Sequence, residues 1–263
     1  VMLARISNFL QGNSGISPEV IYKLQEFINK EITPEIFEHG SVGASGDLVQ
    51  LAHLGLNLIG EGYVCLQGKR IPAKEALEKN NITPLNLQLR DGLGLMNGTS
   101  CMTGIGAINL IYSDRLLNWS ILTSSILNEI IEAYDDSFSA GLNEVKKHKG
   151  QSWIAQQMRE ILVDSTLIQS REELFKNDLN ALPEELKKKV QEYYSIRCVP
   201  QILGPVKDTL EYAKQIIEDE LNSTNDNPVV RMDLENVFHG GNFHGDYVSL
   251  EMDKVKIVIT KMT

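Results

Sequence analysis

The sequence predicts a mainly α protein built from long helices, with two small β-hairpins. One observation is an apolar pattern of helical period over residues 99–133, uninterrupted by proline. Another is that only eight prolines occur in 263 residues, and strand-like alternation is confined to two short runs. Taken in order, Ser17-Pro18-Glu19 reads as a helix start, with Ser17 at the N-cap and Pro18 at the first helical position. That helix continues through Val20, Leu24, Phe27 and Ile28. A second helix begins after Asp47 and places Leu48, Leu51, Ala52, Gly55, Leu58 and Ile59 on one face. Residues 63–71 read as a hairpin turning at Gln67-Gly68.

In the long helix the expected core positions are Met102, Ile105, Leu110, Leu117, Ile121, Ile126 and Ile130, with Gly98, Gly104 and Gly106 allowing close backbone approach near its start. Residues 139–189 are more polar. They hold an amphipathic helix at 153–162 and a charged loop around Arg171-Glu172-Glu173, and read equally as a lid or a surface insertion. A further helix is expected to start at Gly204-Pro205 and to bury Val206, Leu210, Ala213, Ile217 and Leu221. Residues 229–239 then form the second hairpin, turning at 233–236.

A formal net charge of −10 argues against non-specific nucleic-acid binding, which needs clustered cations to neutralise phosphates. The basic runs Lys146-Lys147-His148-Lys149 and Lys187-Lys188-Lys189 read as solvated faces. Cys65, Cys101 and Cys198 are widely spaced, matching neither a metal-ligand pattern nor a disulfide framework, so a cytoplasmic setting is expected. The apolar stretch 51–66 is broken by Asn57 and Glu61 and is not expected to span a membrane. Both ends fall within apolar helical patterns. Residues 1–263 are therefore expected to be the interior part of one catalytic domain whose N- and C-terminal parts lie outside this sequence.

The chemistry centres on Gly40-Ser41-Val42-Gly43-Ala44-Ser45-Gly46-Asp47-Leu48. Attack of the Gly46 amide nitrogen on the Ala44 carbonyl would close a five-membered ring. Loss of water, including the Ser45 hydroxyl, would leave an exocyclic methylidene. Glycine gives an unhindered nitrogen and permissive backbone angles, alanine leaves its carbonyl open, and serine carries the hydroxyl to be eliminated. Taken alone, Ala-Ser-Gly also reads as an ordinary turn before a helix.

Four further segments change that balance: Leu95-Met96-Asn97-Gly98-Thr99, Tyr194-Ser195-Ile196-Arg197-Cys198-Val199-Pro200-Gln201, Asn222-Ser223-Thr224-Asn225-Asp226-Asn227-Pro228 and Gly240-Gly241-Asn242-Phe243-His244-Gly245. With them the chain resembles the aromatic amino-acid ammonia-lyases, the histidine, phenylalanine and tyrosine lyases that use a methylidene-imidazolone (MIO) group. All five motifs stand in the family's order, and the likeness is nearest to bacterial tyrosine or histidine lyases. Val49-Gln50, where many members carry Ala-Pro, is a departure beyond the cyclising residues.

The resemblance implies a long-helix bundle of the fumarase/aspartase-like type and removal of ammonia from an aromatic L-amino acid, histidine to urocanate or tyrosine to p-coumarate. It implies MIO formed from Ala44, Ser45 and Gly46, with no metal and no dissociable cofactor. Asn97 matches the asparagine that hydrogen-bonds near that group and the bound amine; as bare sequence it is a turn signal or a glycosylation sequon. Tyr194 matches a catalytic-site tyrosine, whereas its neighbour Tyr193 is expected to be structural. Arg197 matches the arginine that pairs with the substrate carboxylate, a task suited to a planar fork; as bare sequence it is a surface salt-bridge residue. Gln191 matches a site-lining glutamine, and Phe243 the phenylalanine packed on the prosthetic ring.

The resemblance further implies a homotetramer whose active sites combine several subunits, so Tyr194 and Arg197 need not lie near Ser45 of their own chain. It places the β-proton base on a tyrosine upstream of this sequence. His39, His53, His239 and His244 therefore gain no such role, and His53 reads as a hydrogen-bonded structural residue. An MIO-dependent aminomutase shares all these residues. A serine hydrolase with Ser45 as nucleophile lacks the strand–Gly-x-Ser-x-Gly–helix context. An inactive helical scaffold is the non-enzymatic alternative.

Overall fold

The computed structural model describes residues 1–41, 46–176 and 189–262, with the backbone alone at 174–176. In chain order the elements begin α1 (Met2–Leu10), α2 (Pro18–Asn29), β1 (Thr33–Pro34), α3 (Leu48–Leu58), β2 (Tyr63–Leu66), β3 (Lys69–Pro72), α4 (Ala73–Lys79), α5 (Asp91–Met96) and α6 (Ser100–Ile130). They continue α7 (Ala140–Asn143), α8 (Lys149–Ile161), α9 (Arg171–Lys176), α10 (Tyr194–Arg197), α11 (Val199–Leu221), β4 (Val229–Arg231), β5 (Asn236–Phe238) and α12 (Asp246–Thr260). The protein is mainly α, as its periodicity predicts. Two compact units divide it, Val1–Ile108 with Lys214–Met252, and Asn109–Ala213 with Asp253–Thr263.

In the first unit the core is built from Val20, Leu24 and Phe27 of α2, Leu51, Leu54 and Leu58 of α3, and Ala73, Ala76 and Leu77 of α4, all buried. The expected hairpin is β2–β3, with Val64 opposite Ile71. Its turn residues Gln67 and Gly68 both take positive φ, 50° and 74°, which matches the twist of the strands it joins. A third strand not expected from the sequence, the two-residue edge strand β1, pairs through Thr33 and Pro34 to Cys65 and Val64. Ser17 occupies the N-cap of α2, yet its hydroxyl donates to Asp91 Oδ2 at 2.7 Å rather than capping the helix. The second hairpin, β4–β5, turns through Glu235 in the left-handed region.

In the second unit α8 buries Ile154, Ala155 and Met158, and α11 buries Val206, Leu210 and Ala213. The amphipathic helix expected at 153–162 is thus real but begins earlier. The Asp208 carboxylate accepts from the Gly150 N–H at 2.8 Å in its first turn. A Cβ on Gly204 would lie 2.7 Å from the Gln151 nitrogen, so glycine permits this contact. α11 corrects the expected start at Gly204-Pro205, because it begins at Val199 and runs through Pro205. An interior proline costs about 3 kcal/mol. Burial of Leu203, Val206 and Leu210, at about 1.5–3 kcal/mol each, outweighs that. The lid reading of 139–189 concerns in part residues 177–188, which lie outside the described residues.

The long helix α6 corrects part of the expected core. Leu110, Leu117 and Ile121 are buried, but Ile105, Ile126 and Ile130 are 55%, 45% and 68% exposed. Apolar residues surround much of this helix, so periodicity does not single out one face. Ser113 and Ser125 occupy the buried side instead, their hydroxyls bonded to the carbonyls of Asn109 (2.7 Å) and Ile121 (2.9 Å) one turn back. Tyr112 and Trp119 join the exposed side.

Candidate active site

Two groups of residues carry the candidate chemistry, one in each unit. In the first unit, Ala44 and Ser45 lie outside the described residues, and the description resumes at Gly46. Gly46 has φ +73°, and a Cβ there would stand 2.5 Å from the Gly98 carbonyl oxygen. Only glycine meets both conditions. The Ser41 hydroxyl donates to the Gly46 carbonyl at 3.0 Å, and the Asp47 N–H donates to Gly98 O at 2.9 Å.

Asp47 sits at the N-cap of α3 without capping it. Its Oδ2 instead accepts from the Met102 N–H at 2.7 Å, capping the first turn of α6. Burial pushes this carboxyl above the usual aspartate range, opposed by the N–H groups of Met102 and Cys101 and by the Arg5 charge. Gly46-Asp47 is thereby tied to Asn97-Gly98 and to a long helix far along the chain.

Asn97 is buried, and its Nδ2 donates to Asn227 O at 2.9 Å and to Asp226 Oδ1 at 3.4 Å. No donor to its amide oxygen is found among the described residues. Beneath this turn lies the fully buried Arg5, whose guanidinium donates to the carbonyls of Gly94 and Asn97 and to Asn225 Oδ1 (3.4 Å). Burial lowers its pKa to about 10, while Asp226 opposes the shift, so it stays charged at neutral pH. Asp226 is itself fully buried and pairs with Arg90 at 3.0 Å. Phe243 is half-buried in the same unit.

Glu220 receives the Thr99 hydroxyl just before α6. Burial raises its carboxyl pKa above the ordinary 4.5, with the Thr99 and Asn225 bonds opposing. The folded protein therefore holds this proton more tightly than the unfolded chain. Its stabilising contribution is complete below the unfolded pKa and fades as pH rises through the folded one. Glu220→Gln is expected to remove that loss, so its thermal midpoint relative to wild type climbs between pH 4.5 and 7. A relative midpoint that falls over this range would contradict the assignment.

The second unit holds Gln191, Tyr194 and Arg197. Gln191 and Arg197 line a cavity of about 570 Å³ together with Tyr134, Glu192, Cys198 and Gln201. The Arg197 guanidinium lies 4.6 Å from the centroid of the Tyr194 ring, a stack that orients its plane. Among the described residues Arg197 has no carboxylate partner. Tyr193 and Tyr194 are both exposed, 84% and 74%. His53 accepts from the Phe37 N–H at 3.4 Å and meets the Phe37 ring edge-on, in keeping with a structural role. Among the described residues no group of three or more His, Cys, Asp or Glu could hold a metal ion, and no helix is long and apolar enough to cross a membrane.

Sequence reasoning missed Arg5, named Asp226 within a family motif without giving it a role, and missed the long-range role of Asp47. The signal available was the polar pair Arg5 and Asn8 on the same stripe as Ala4 and Phe9 in α1. Polar residues on a buried stripe are held by partners elsewhere in the fold.

The long-helix architecture with its glycine-borne turn defines a protein of the ammonia-lyase and aminomutase fold. It superposes on a phenylalanine aminomutase from Pantoea agglomerans with a TM-score of 0.92 and 39% identity, over 99% of this chain and 51% of that one. The chain belongs to the aromatic amino acid lyase family, whose model matches residues 1–263. A tyrosine 2,3-aminomutase from Myxococcus sp. (strain Mx-B0) is 39% identical over 271 residues, covering 100% of this chain and 51% of the relative. A histidine ammonia-lyase from Stigmatella aurantiaca is 37% identical over 263 residues, covering 100% and 49%. The chain spans about half the length of the curated relatives it matches.

Proposed function

We propose that the intact protein containing this chain is an aromatic L-amino-acid ammonia-lyase, converting L-histidine to urocanate or L-tyrosine to p-coumarate with release of ammonia. The observation that carries the reading is the Gly46 turn, which admits only glycine and is anchored on both sides of the Ala44-Ser45-Gly46 triad's C-terminal end. The described residues thus fit a methylidene-imidazolone formed from that triad. Such a group, once formed, supplies an electrophilic carbon and an electron sink for the substrate amine.

The chain's own residues supply recognition. Arg197, stacked on Tyr194 and without a carboxylate partner among the described residues, is suited to take the substrate carboxylate through its fork, with Gln191 beside it on the cavity wall. The amide oxygen of Asn97 is the acceptor for the substrate ammonium, because both its N–H groups are committed to residues 226 and 227. Phe243 supplies an apolar face for the ring chemistry, and Tyr194 a phenol for the amine.

The expected homotetramer draws support from α6, whose Tyr112, Leu116, Trp119, Leu127 and Ile130 are exposed along one long helix. A contiguous apolar face of that kind suits further copies of the chain. A cytoplasmic location is part of the same proposal, in keeping with three unpaired cysteines.

Aminomutase activity is the second reading, favoured by a tyrosine aminomutase relative at 39% identity beside a histidine lyase at 37%. The test is to incubate the intact protein with L-histidine, L-tyrosine and L-phenylalanine and to identify products by absorbance and chromatography. An arylacrylate with stoichiometric ammonia supports the lyase, a β-amino acid transfers the assignment to the mutase, and neither product overturns both. Arg197→Lys is expected to raise KM at least about tenfold, since lysine keeps the charge but loses the fork. An unchanged KM would remove Arg197 from substrate binding.

A further inference from the structure

The segment that carries Gln191 and Arg197 is held down by a small buried arrangement that the proposed chemistry does not use. Tyr134, just beyond the C-terminal end of α6, reaches it at two points. Its backbone N–H donates to Glu192 Oε1 at 3.1 Å, and its phenol donates to the Lys189 carbonyl at 2.8 Å. The Glu192 side chain is only 4% exposed and also takes the Lys189 ammonium at 2.8 Å on the same oxygen. Arg171 donates to the intervening carbonyl of Val190. Tyr134 is in turn braced from behind, because the Gln169 N–H donates to Ala133 O at 2.9 Å and the Asp135 N–H to Gln169 O at 3.1 Å.

The consequence lies in the alternation of the chain. Lys189, Val190 and Glu192 are pinned, and Gln191 between them is turned outward, lining the cavity that Arg197 also lines six residues later, at the end of α10. A buried carboxylate with two donors is costly to leave unmatched, so this contact has one low-energy arrangement. We infer that Tyr134 and Glu192 form a clasp that positions Gln191 and Arg197 for carboxylate binding, and that both are positioning residues rather than catalytic ones. The inference rests on the reading of Gln191 and Arg197 as substrate-binding residues.

The test uses the intact protein and two measurements, steady-state kinetics with the amino-acid substrate and calorimetric binding of cinnamate, a carboxylate that carries no amine. Tyr134→Phe keeps the ring but removes the phenol's bond to the Lys189 carbonyl, and is expected to raise KM and the cinnamate Kd about fivefold, with kcat within about twofold. Glu192→Ala leaves the Tyr134 N–H and Lys189 without their acceptor, and is expected to weaken both constants by more than about tenfold. Glu192→Gln keeps an acceptor for the N–H and is expected to restore most of the loss. Unchanged KM and Kd in Tyr134→Phe and Glu192→Ala overturn the clasp, as does a fall in kcat and thermal midpoint with binding unaltered. Arg197→Lys serves as the reference. If it weakens cinnamate binding while the clasp variants do not, the clasp alone fails. If it leaves cinnamate binding intact, the substrate-binding reading fails and the clasp falls with it.

Discussion

Ser45→Ala in the intact protein is expected to lower turnover by at least about three orders of magnitude while leaving the fold in place. Alanine fits the same small turn but has no β-hydroxyl to eliminate, so the methylidene cannot form. The remaining residues would still bind substrate through Arg197 and Asn97, so the loss should fall on kcat more than on KM. Tryptic peptide mass gives an independent reading. The wild-type peptide containing Ala44-Ser45-Gly46 should lack the two waters lost on ring closure and dehydration, and the variant peptide should retain the unmodified mass less one oxygen. Full lyase activity in Ser45→Ala would dispose of the prosthetic-group assignment and of most of the functional proposal.

The largest effect on stability is expected at Arg5. Arg5→Ala is expected to destabilise the protein by about 3–5 kcal/mol, the range for breaking a buried charged network. The guanidinium serves the Gly94 and Asn97 carbonyls and Asn225, and lies 4.5 Å from the Phe9 ring centroid. Removing it leaves those acceptors buried without donors and opens a cavity beneath Asn97-Gly98. Arg5→Lys should recover little, because an ammonium on a single stem does not reach divergent acceptors as a planar fork does. The check is the urea or thermal midpoint of the intact protein. A loss below about 1 kcal/mol for both variants would mean that the Arg90–Asp226 pair holds this region without Arg5.

Local patterns recovered the elements whose causes are local. The β2–β3 turn needed two residues at positive φ, and Gln67-Gly68 announces it. The α2 start is visible in Ser17-Pro18, and a helix of 31 residues is visible in its proline-free apolar run. The Ala-Ser-Gly triad is equally local, since the chemistry proposed for it would join adjacent residues. Resemblance to a family then supplied Asn97, Gln191, Tyr194, Arg197 and Phe243, whose side chains carry no such meaning in isolation.

Pattern and structure part where a local choice depends on distant partners. The proline at 205 did not end α11, because burial along the helix outweighed one lost hydrogen bond. Ile105, Ile126 and Ile130 were expected in the core and stand at the surface, because a helix apolar on most sides gives periodicity nothing to choose between.

The sequence by itself therefore determined the mainly α class, the turns and the family, and it supplied the triad on which the functional proposal rests. The tertiary structure decided which face of α6 is buried and that Asp47 caps α6 rather than the helix it precedes. It also decided that the glycine of the triad is held against Gly98 and that Arg5 is the buried cation beneath that turn. The physical reason is distance along the chain. Backbone angles and neighbouring-residue chemistry are set within a few residues, whereas desolvated hydrogen bonds and charges find their partners only when remote segments meet.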